Sequence, residues 1–292
     1  MTKATNDRPI DDVSGMETTG HEWDGIKELN TPMPKWWLYT YYACIVFSVG
    51  YWVVYPAWPS LSGFTKGMGG YSSRADLDQD LASLKQERSQ WSSKFNTMSI
   101  DEIGADQQLL NFAMAGGKFI FAENCAPCHG AAGSGAPGYP VLADDDWIWG
   151  GTREDIHTTV AFGIRSGHDD TRDSSMPEFL ADEVLEKSQI TDVTQYVLSL
   201  SNEASNADAA KRGAAVFEDE CSSCHGEEAK GVADMGGPNL TDGIWLFGKD
   251  EKAVSTQIGS PKHGVMPAWF GRLSDVEIKQ VSLYVHSLGG GQ

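Results

Sequence analysis

Basic residues are scarce in this chain of 292 residues: 22 Lys and Arg stand against 41 Asp and Glu, a formal charge of -19. Nucleic-acid binding needs clustered Lys and Arg on one face, so the acidic balance argues against that class of partner. Most of the acidity lies after residue 58, where it either favours a basic partner or keeps a soluble region soluble. Cysteine is also rare. Of the five, Cys44 stands alone and the others form two pairs, Cys125/Cys128 and Cys221/Cys224. Long apolar runs are absent with one exception, and no A-x-A cleavage site follows it, which argues against a removed signal peptide.

That exception spans residues 36–58, WWLYTYYACIVFSVGYWVVYPAW, without a charge. At ~1.5 Å per residue it reaches about 35 Å, enough for a hydrocarbon core of about 30 Å. Trp36, Trp37 and Tyr39 at one end, and Trp52, Tyr55 and Trp58 at the other, form two interfacial belts. A single retained membrane anchor is expected, in contact with lipid. Lys27 and Lys35 before it balance Lys66 and Arg74 after it, so basic residues do not orient it. Cys44 reads as a small apolar residue within the span.

The rest of the chain repeats itself. Gly117, Phe121 and Cys125-Ala-Pro-Cys128-His129-Gly130 match Gly213, Phe217 and Cys221-Ser-Ser-Cys224-His225-Gly226. Pro140-Val-Leu matches Pro238-Asn-Leu, Trp147-Ile-Trp149-Gly matches Trp245-Leu-Phe247-Gly, Met176-Pro177 matches Met266-Pro267, and Tyr196-Val-Leu-Ser-Leu matches Tyr284-Val-His-Ser-Leu. Each unit reads as a leading helix, a Gly/Pro-rich loop and a closing helix, with Gly117 and Gly213 placed for a close helix crossing. The expected organisation is all-α: segment 1–35, a transmembrane anchor at 36–58, a linker at 59–108, and tandem cytochrome c-like domains at 109–202 and 208–289. In the linker Leu77, Leu81, Leu84, Trp91 and Phe95 fall near a helical period. They predict a helix packed on this chain or on a partner.

A C-x-x-C-H run sets two thiols and an imidazole on one turn, the arrangement that attaches haem c through two thioethers and ligates its iron from the same side. Cys125, Cys128 and His129 therefore predict one covalent haem c, and Cys221, Cys224 and His225 a second. Met176 is the expected opposite ligand of the first and Met266 of the second, each stiffened by a following proline. A His/Met pair leaves no open position and suits electron transfer. Met114 lies before its motif and reads as core; Met235 follows His225 too closely to reach the other side of the ring. His157, His168, His263 and His286 occupy no matched positions. The carbonyls of Pro140 and Pro238 are candidates to fix the ligand histidines, and Trp147 and Trp245 either approach haem propionates or pack in the core. A Cys₄ zinc site leaves the histidines and Met-Pro repeats unexplained; a thioredoxin-like motif lacks its βαβ setting; and two closed sites argue against a peroxidase. Because haem c is attached outside the cytoplasm, residues after 58 are expected to be periplasmic and 1–35 cytoplasmic.

With these residues in view, the chain resembles the di-haem subunit III of cbb3-type cytochrome c oxidases, the CcoP/FixP family. The stretch Thr19-Gly-His-Glu-Trp-Asp-Gly-Ile-Lys-Glu-Leu-Asn-Thr-Pro-Met-Pro-Lys-Trp-Trp carries most of the resemblance, with Tyr55-Pro-Ala-Trp-Pro, Pro238-Asn-Leu-Thr-Asp-Gly-Ile-Trp and the terminal Gly289-Gly-Gly-Gln. The resemblance implies a subunit with no catalysis of its own in the bacterial inner membrane. It would take electrons from a cytochrome c and relay them, through a mono-haem cytochrome subunit, to a haem/copper subunit that reduces oxygen and pumps protons. A cytochrome subunit of a periplasmic dehydrogenase and a haem-based gas sensor are the competing functions; the cytoplasmic Trp-Asp-Gly stretch and the permanent anchor favour the oxidase. The loop from Arg165 to Ser175 receives no role.

Overall fold

A computed structural model describes residues 8–289, in two compact units, 1–84 and 85–292. Residues 1–7 of the expected cytoplasmic segment, and 290–292 of the terminal glycine run, lie outside the described residues.

The first unit opens with a hairpin of β1 (Thr18–Trp23) and β2 (Ile26–Leu29). Asp24 and Gly25 between them both have positive φ, 50° and 84°, as the tight turn between two twisted strands requires. Helix α1 (Lys35–Val54) follows, 20 residues with no buried side chain, long and apolar enough to cross a membrane. It stops short of the expected Trp58. Tyr55 precedes Pro56 and is driven into an extended conformation (φ -108°, ψ 159°). The freed carbonyls of Val53 and Val54 accept the N–H groups of Met68 (2.9 Å) and Gly69 (3.0 Å). Two-residue strands β3 (Pro59–Ser60) and β4 (Gly63–Phe64) pair just beyond the helix.

Helix α2 (Ser73–Thr97) confirms the helical period of the linker but divides its apolar stripe. Leu77, Leu81 and Leu84, in the first unit, are exposed. Phe95, in the second, is fully buried, and with Trp91 it packs against α3 (Ile100–Ala105) and α4 (Gln107–Asn124). Lys279 secures this junction: its ammonium donates to the carbonyls of Phe95 (2.7 Å) and Met98 (3.1 Å).

The remaining helices are α5 (Ala126–His129), α6 (Arg153–Phe162), α7 (Lys187–Leu200), α8 (Ala207–Glu220), α9 (Ser222–His225), α10 (Glu251–Gly259) and α11 (Asp275–His286). The two sequence repeats do not close on themselves. Leading helix α4 packs against α11, the closing helix of the second repeat; leading helix α8 packs against α7, the closing helix of the first. The two glycines do permit close crossings, but with exchanged partners. A Cβ on Gly117 would stand 2.3 Å from the Gln280 carbonyl oxygen, and one on Gly213 would stand 2.1 Å from that of Asp192.

The exchange has a local cause. Helices α7 and α8 are separated by a short linker, so their pairing costs little loop entropy. Gln195, buried in α7, accepts the backbone N–H groups of Ser205 (2.9 Å) and Asn206 (3.0 Å) and fastens that linker. Arg212 then forks onto Asp192 at 2.8 and 2.6 Å. The result is a continuous lobe of α7–α10 and a split lobe in which α4–α6 are completed by α11.

Candidate functional site

The two CxxCH motifs fold alike. The Cys125 carbonyl accepts the His129 N–H at 2.9 Å, and the Cys221 carbonyl accepts that of His225 at 3.0 Å. Each motif is one helical turn ended by a glycine of positive φ, Gly130 (76°) and Gly226 (79°). The histidine carbonyls then accept Gly135 and Gly231 N–H groups, both at 2.7 Å. None of the four thiols is in a disulfide.

Both imidazoles are oriented as the sequence predicts. The Nδ1–H of His129 donates to the Pro140 carbonyl at 3.2 Å, and that of His225 to the Pro238 carbonyl at 3.0 Å. A carbonyl can only accept, so each ring holds its proton on Nδ1 and keeps Nε2 as a lone-pair donor. Burial lowers both histidine pKa values, against the opposing effect of these hydrogen bonds, and favours the neutral ligand form. Burial also pushes the Cys125 and Cys221 thiols up to about 11. That is opposite to the depressed pKa of a reactive redox CxxC.

The methionines lie elsewhere than the order of the repeats suggests. Met266 packs on the apolar cluster of the split lobe, with Cys125, Ala126, Ile120 and Phe121. Met176 packs on that of the continuous lobe, with Cys221 and Phe217. Met176 was expected opposite His129, and Met266 opposite His225; the fold instead packs Met176 in the cluster of Cys221 and Met266 in that of Cys125. Backbone bonds account for it. Ile164 and Met266 exchange N–H···O=C bonds at 3.0 Å in both directions, Trp269 and Phe270 donate to Ala161, and a Cβ on Gly163 would stand 2.3 Å from the Met266 oxygen. These hold the second Met-Pro loop against the end of α6. Likewise Leu180, after Met176, donates to the Gly259 carbonyl at the end of α10 (3.2 Å).

The other candidates are placed differently. Met235 is exposed on a one-turn helix. His168 lies tilted against Phe162 and edge-on to Phe270 and accepts the Asp170 N–H at 3.0 Å. His263 is exposed, and His157 has a buried Nε2 without a hydrogen-bond partner.

Whether these residues fit haem c can be tested on the protein alone. Among the described residues no three His, Cys, Asp or Glu side chains converge as a bare metal ion would require. The thiols are thus arranged in separated pairs, each beside an oriented histidine. Trp147 and Trp245 pack on the cores of the split and continuous lobes. Trp147 Nε1–H is in addition buried with no acceptor. A buried indole donor without a partner is costly, and a haem propionate would satisfy it. The donor set fits.

The two lobes also meet through matched loops. The Gly138 N–H donates to the Leu246 carbonyl at 3.1 Å, and Trp149 lies over Gly236, where a Cβ would come within 2.2 Å of its ring. Asp146 lies near Asp242, Asp144 and Asp145; burial first, and then these charges, push its carboxyl up to about 6.

Comparison with known proteins agrees with this architecture. Residues 15–62 match the family described as the N-terminal domain of cytochrome oxidase-cbb3, FixP. Residues 114–201 match cytochrome c, and 208–285 match cytochrome C oxidase, cbb3-type, subunit III. The chain is 50% identical over 287 residues to the cbb3-type cytochrome c oxidase subunit FixPc of Rhizobium leguminosarum bv. viciae, covering 98% of this chain and 99% of that one. The chain belongs to the cbb3-type cytochrome c oxidase subunit III family. FixP of Bradyrhizobium diazoefficiens is 50% identical over 290 residues (99% of this chain, 100% of that protein), and CcoP of Azospirillum sp. strain B510 is 48% identical over 290 residues (97% and 98%). Membership makes this an electron-transfer subunit of an oxidoreductase complex, with cytochrome c domains that bind haem c and an N-terminal helix suited to membrane anchoring.

Sequence reasoning missed Arg165 altogether. Its side chain reaches residues 99 positions away, and no local pattern signals such a contact.

Proposed function

We propose that this chain carries two haems c and relays single electrons from a cytochrome c, through a mono-haem cytochrome subunit, toward the haem/copper subunit of the oxidase. It performs no oxygen chemistry itself. The carrying observation is that each lobe's apolar cluster gathers one CxxCH motif and one Met-Pro loop. Haem c supplies a one-electron iron couple when bound.

The protein's own residues define two closed sites. Cys125, Cys128, His129 and Met266 would hold the first haem c. Cys221, Cys224, His225 and Met176 would hold the second. Pro140 and Pro238 fix the histidine tautomers, and thioether ligation would raise the potential and leave no position for an external ligand. The abutting loops at Gly138 and Leu246 favour transfer between the sites. Helix α1 anchors the chain in the inner membrane, with the N-terminal segment cytoplasmic and the haem-bearing lobes periplasmic, where thioethers are made. In this arrangement the cytochrome regions 109–202 and 208–289 are sequence repeats that share their closing helices.

Purification from membranes in mild detergent, with covalent haem counted per chain, tests this reading. Two haems per full-length chain, copurification with the mono-haem and haem/copper subunits, and rapid reduction by cytochrome c are expected. A chain without covalent haem, or one that travels with a substrate dehydrogenase instead, would overturn it.

A further inference from the structure

Arg165 opens the loop that the sequence left without a role. Its backbone lies in the left-handed region (φ 49°), which L residues adopt rarely and keep only when their surroundings impose it. Here two backbone bonds impose it. Arg165 N–H donates to the Arg172 carbonyl at 2.9 Å, and its neighbour Ile164 is paired on both sides with Met266 at 3.0 Å.

The guanidinium reaches in two directions. Nε–H donates to the Gly264 carbonyl at 2.8 Å, and Nη1–H to the Ser174 carbonyl at 2.5 Å. Gly264 stands two residues before Met266, and Ser174 two residues before Met176. These loops come from different repeats and serve different lobes. Each offers a carbonyl at the same offset from its methionine, and one rigid fork satisfies both. A guanidinium presents such donors in fixed geometry; an ammonium on a flexible stem does not.

We propose that Arg165 is a positioning residue shared by the two methionine loops, so that releasing its side chain loosens the thioether at both centres together. This rests on the reading that Met266 and Met176 face the two irons. The prediction is coupling: one substitution, remote from both CxxCH motifs, disturbs two sites that no sequence repeat connects. The neighbouring Arg172 provides the comparison. It is at least as well bonded, to Thr159 Oγ1 at 2.9 Å and to Asp155 at 3.2 Å, and it lies over the Trp149 ring. None of these side-chain bonds touches a methionine loop.

The test uses the full chain in its purified complex, as Arg165→Gln, Arg165→Lys and Arg172→Gln variants. Three properties are read: the weak far-red absorption of methionine-ligated ferric haem, carbon monoxide binding by the ferrous form, and amide hydrogen exchange over residues 172–178 and 262–268. Arg165→Gln should lose the far-red band at both haems, bind carbon monoxide in excess of the wild-type complex, whose haem/copper subunit already binds it, and exchange faster over both segments. Added ethylguanidinium should restore part of the band. Arg165→Lys should fall between wild type and Arg165→Gln, and Arg172→Gln should keep both bands.

Retention of the band in Arg165→Gln, loss at one haem only, or equal loss in Arg172→Gln would overturn the proposal. Met176→His and Met266→His report separately on ligation. If neither changes the band, the ligand reading has failed, whereas the exchange measurement still judges Arg165 without reference to any iron.

Discussion

Ile164 and Met266 exchange a pair of backbone hydrogen bonds, 3.0 Å each way, although they belong to different sequence repeats. This contact places the second Met-Pro loop in the lobe of the first Cys motif. The helices reinforce it, because the same exchange appears in α4 with α11 and in α8 with α7.

Gly213→Ala tests the crossing of α8 and α7. The added methyl would meet the Asp192 carbonyl oxygen at 2.1 Å, a backbone atom that cannot swing away. A loss of about 1–3 kcal/mol is expected from such overpacking. Gly243→Ala, where nothing lies within 4 Å, should change stability little. Thermal unfolding of the two variants gives the comparison.

Lys279→Met tests the docking of the end of α2. The lysine side chain is only 13% exposed, and its removal leaves the Phe95 and Met98 carbonyls without their donor. A loss of about 1–3 kcal/mol is expected for the unsatisfied acceptors, with faster proteolysis near residues 95–98. Unchanged protease resistance would contradict this role.

Asp146 gives the fold a pH dependence of definite sign. Its carboxyl is raised from 3.8 to about 6 in the folded chain, so between these values the native state binds more protons than the unfolded one. Its contribution to stability therefore falls as pH rises from 3.8 toward 6, and the penalty is fully present above 6. The group is only partly buried, so solvent screening limits the penalty to roughly 1 kcal/mol. Asp146→Asn should flatten this part of the stability profile; an unchanged slope would assign the effect to other groups.

Trp147→Phe keeps an aromatic ring and removes the buried Nε1–H. If that donor serves a propionate, one hydrogen bond of about 1 kcal/mol is lost from it, which bounds the fall in a one-electron potential at about 40 mV. The haem on Cys125 and Cys128 should shift, and the other should not. Equal shifts at both haems, or none, would return Trp147 to a packing role.

Much of this architecture was legible because the chemistry is local. The CxxCH turns, the Pro140 and Pro238 carbonyls and the membrane run each depend on a few neighbouring residues. The hairpin at Asp24-Gly25 was equally local, yet an all-helical reading passed over the Asp-Gly signal. The lobe exchange is different. Both repeats carry the same glycine on the leading helix and the same Tyr-Val on the closing one, so either closing helix satisfies either crossing. The choice is made by the short α7–α8 linker and Gln195, which the repeat pattern does not contain. Matching Met176 to the motif that precedes it follows the order of the repeats, whereas its loop packs in the cluster that holds Cys221.

The most direct test of the account uses a chain that holds one haem. With Cys221→Ser and Cys224→Ser, only Cys125 and Cys128 remain for attachment, and the reduction potential of that haem is measured with Met266→His and, separately, with Met176→His. The fold predicts that Met266→His lowers this potential strongly, as expected when a thioether ligand is replaced by imidazole, and that Met176→His leaves it nearly unchanged. A large fall with Met176→His and none with Met266→His would contradict the crossed arrangement and restore the pairing by sequence order.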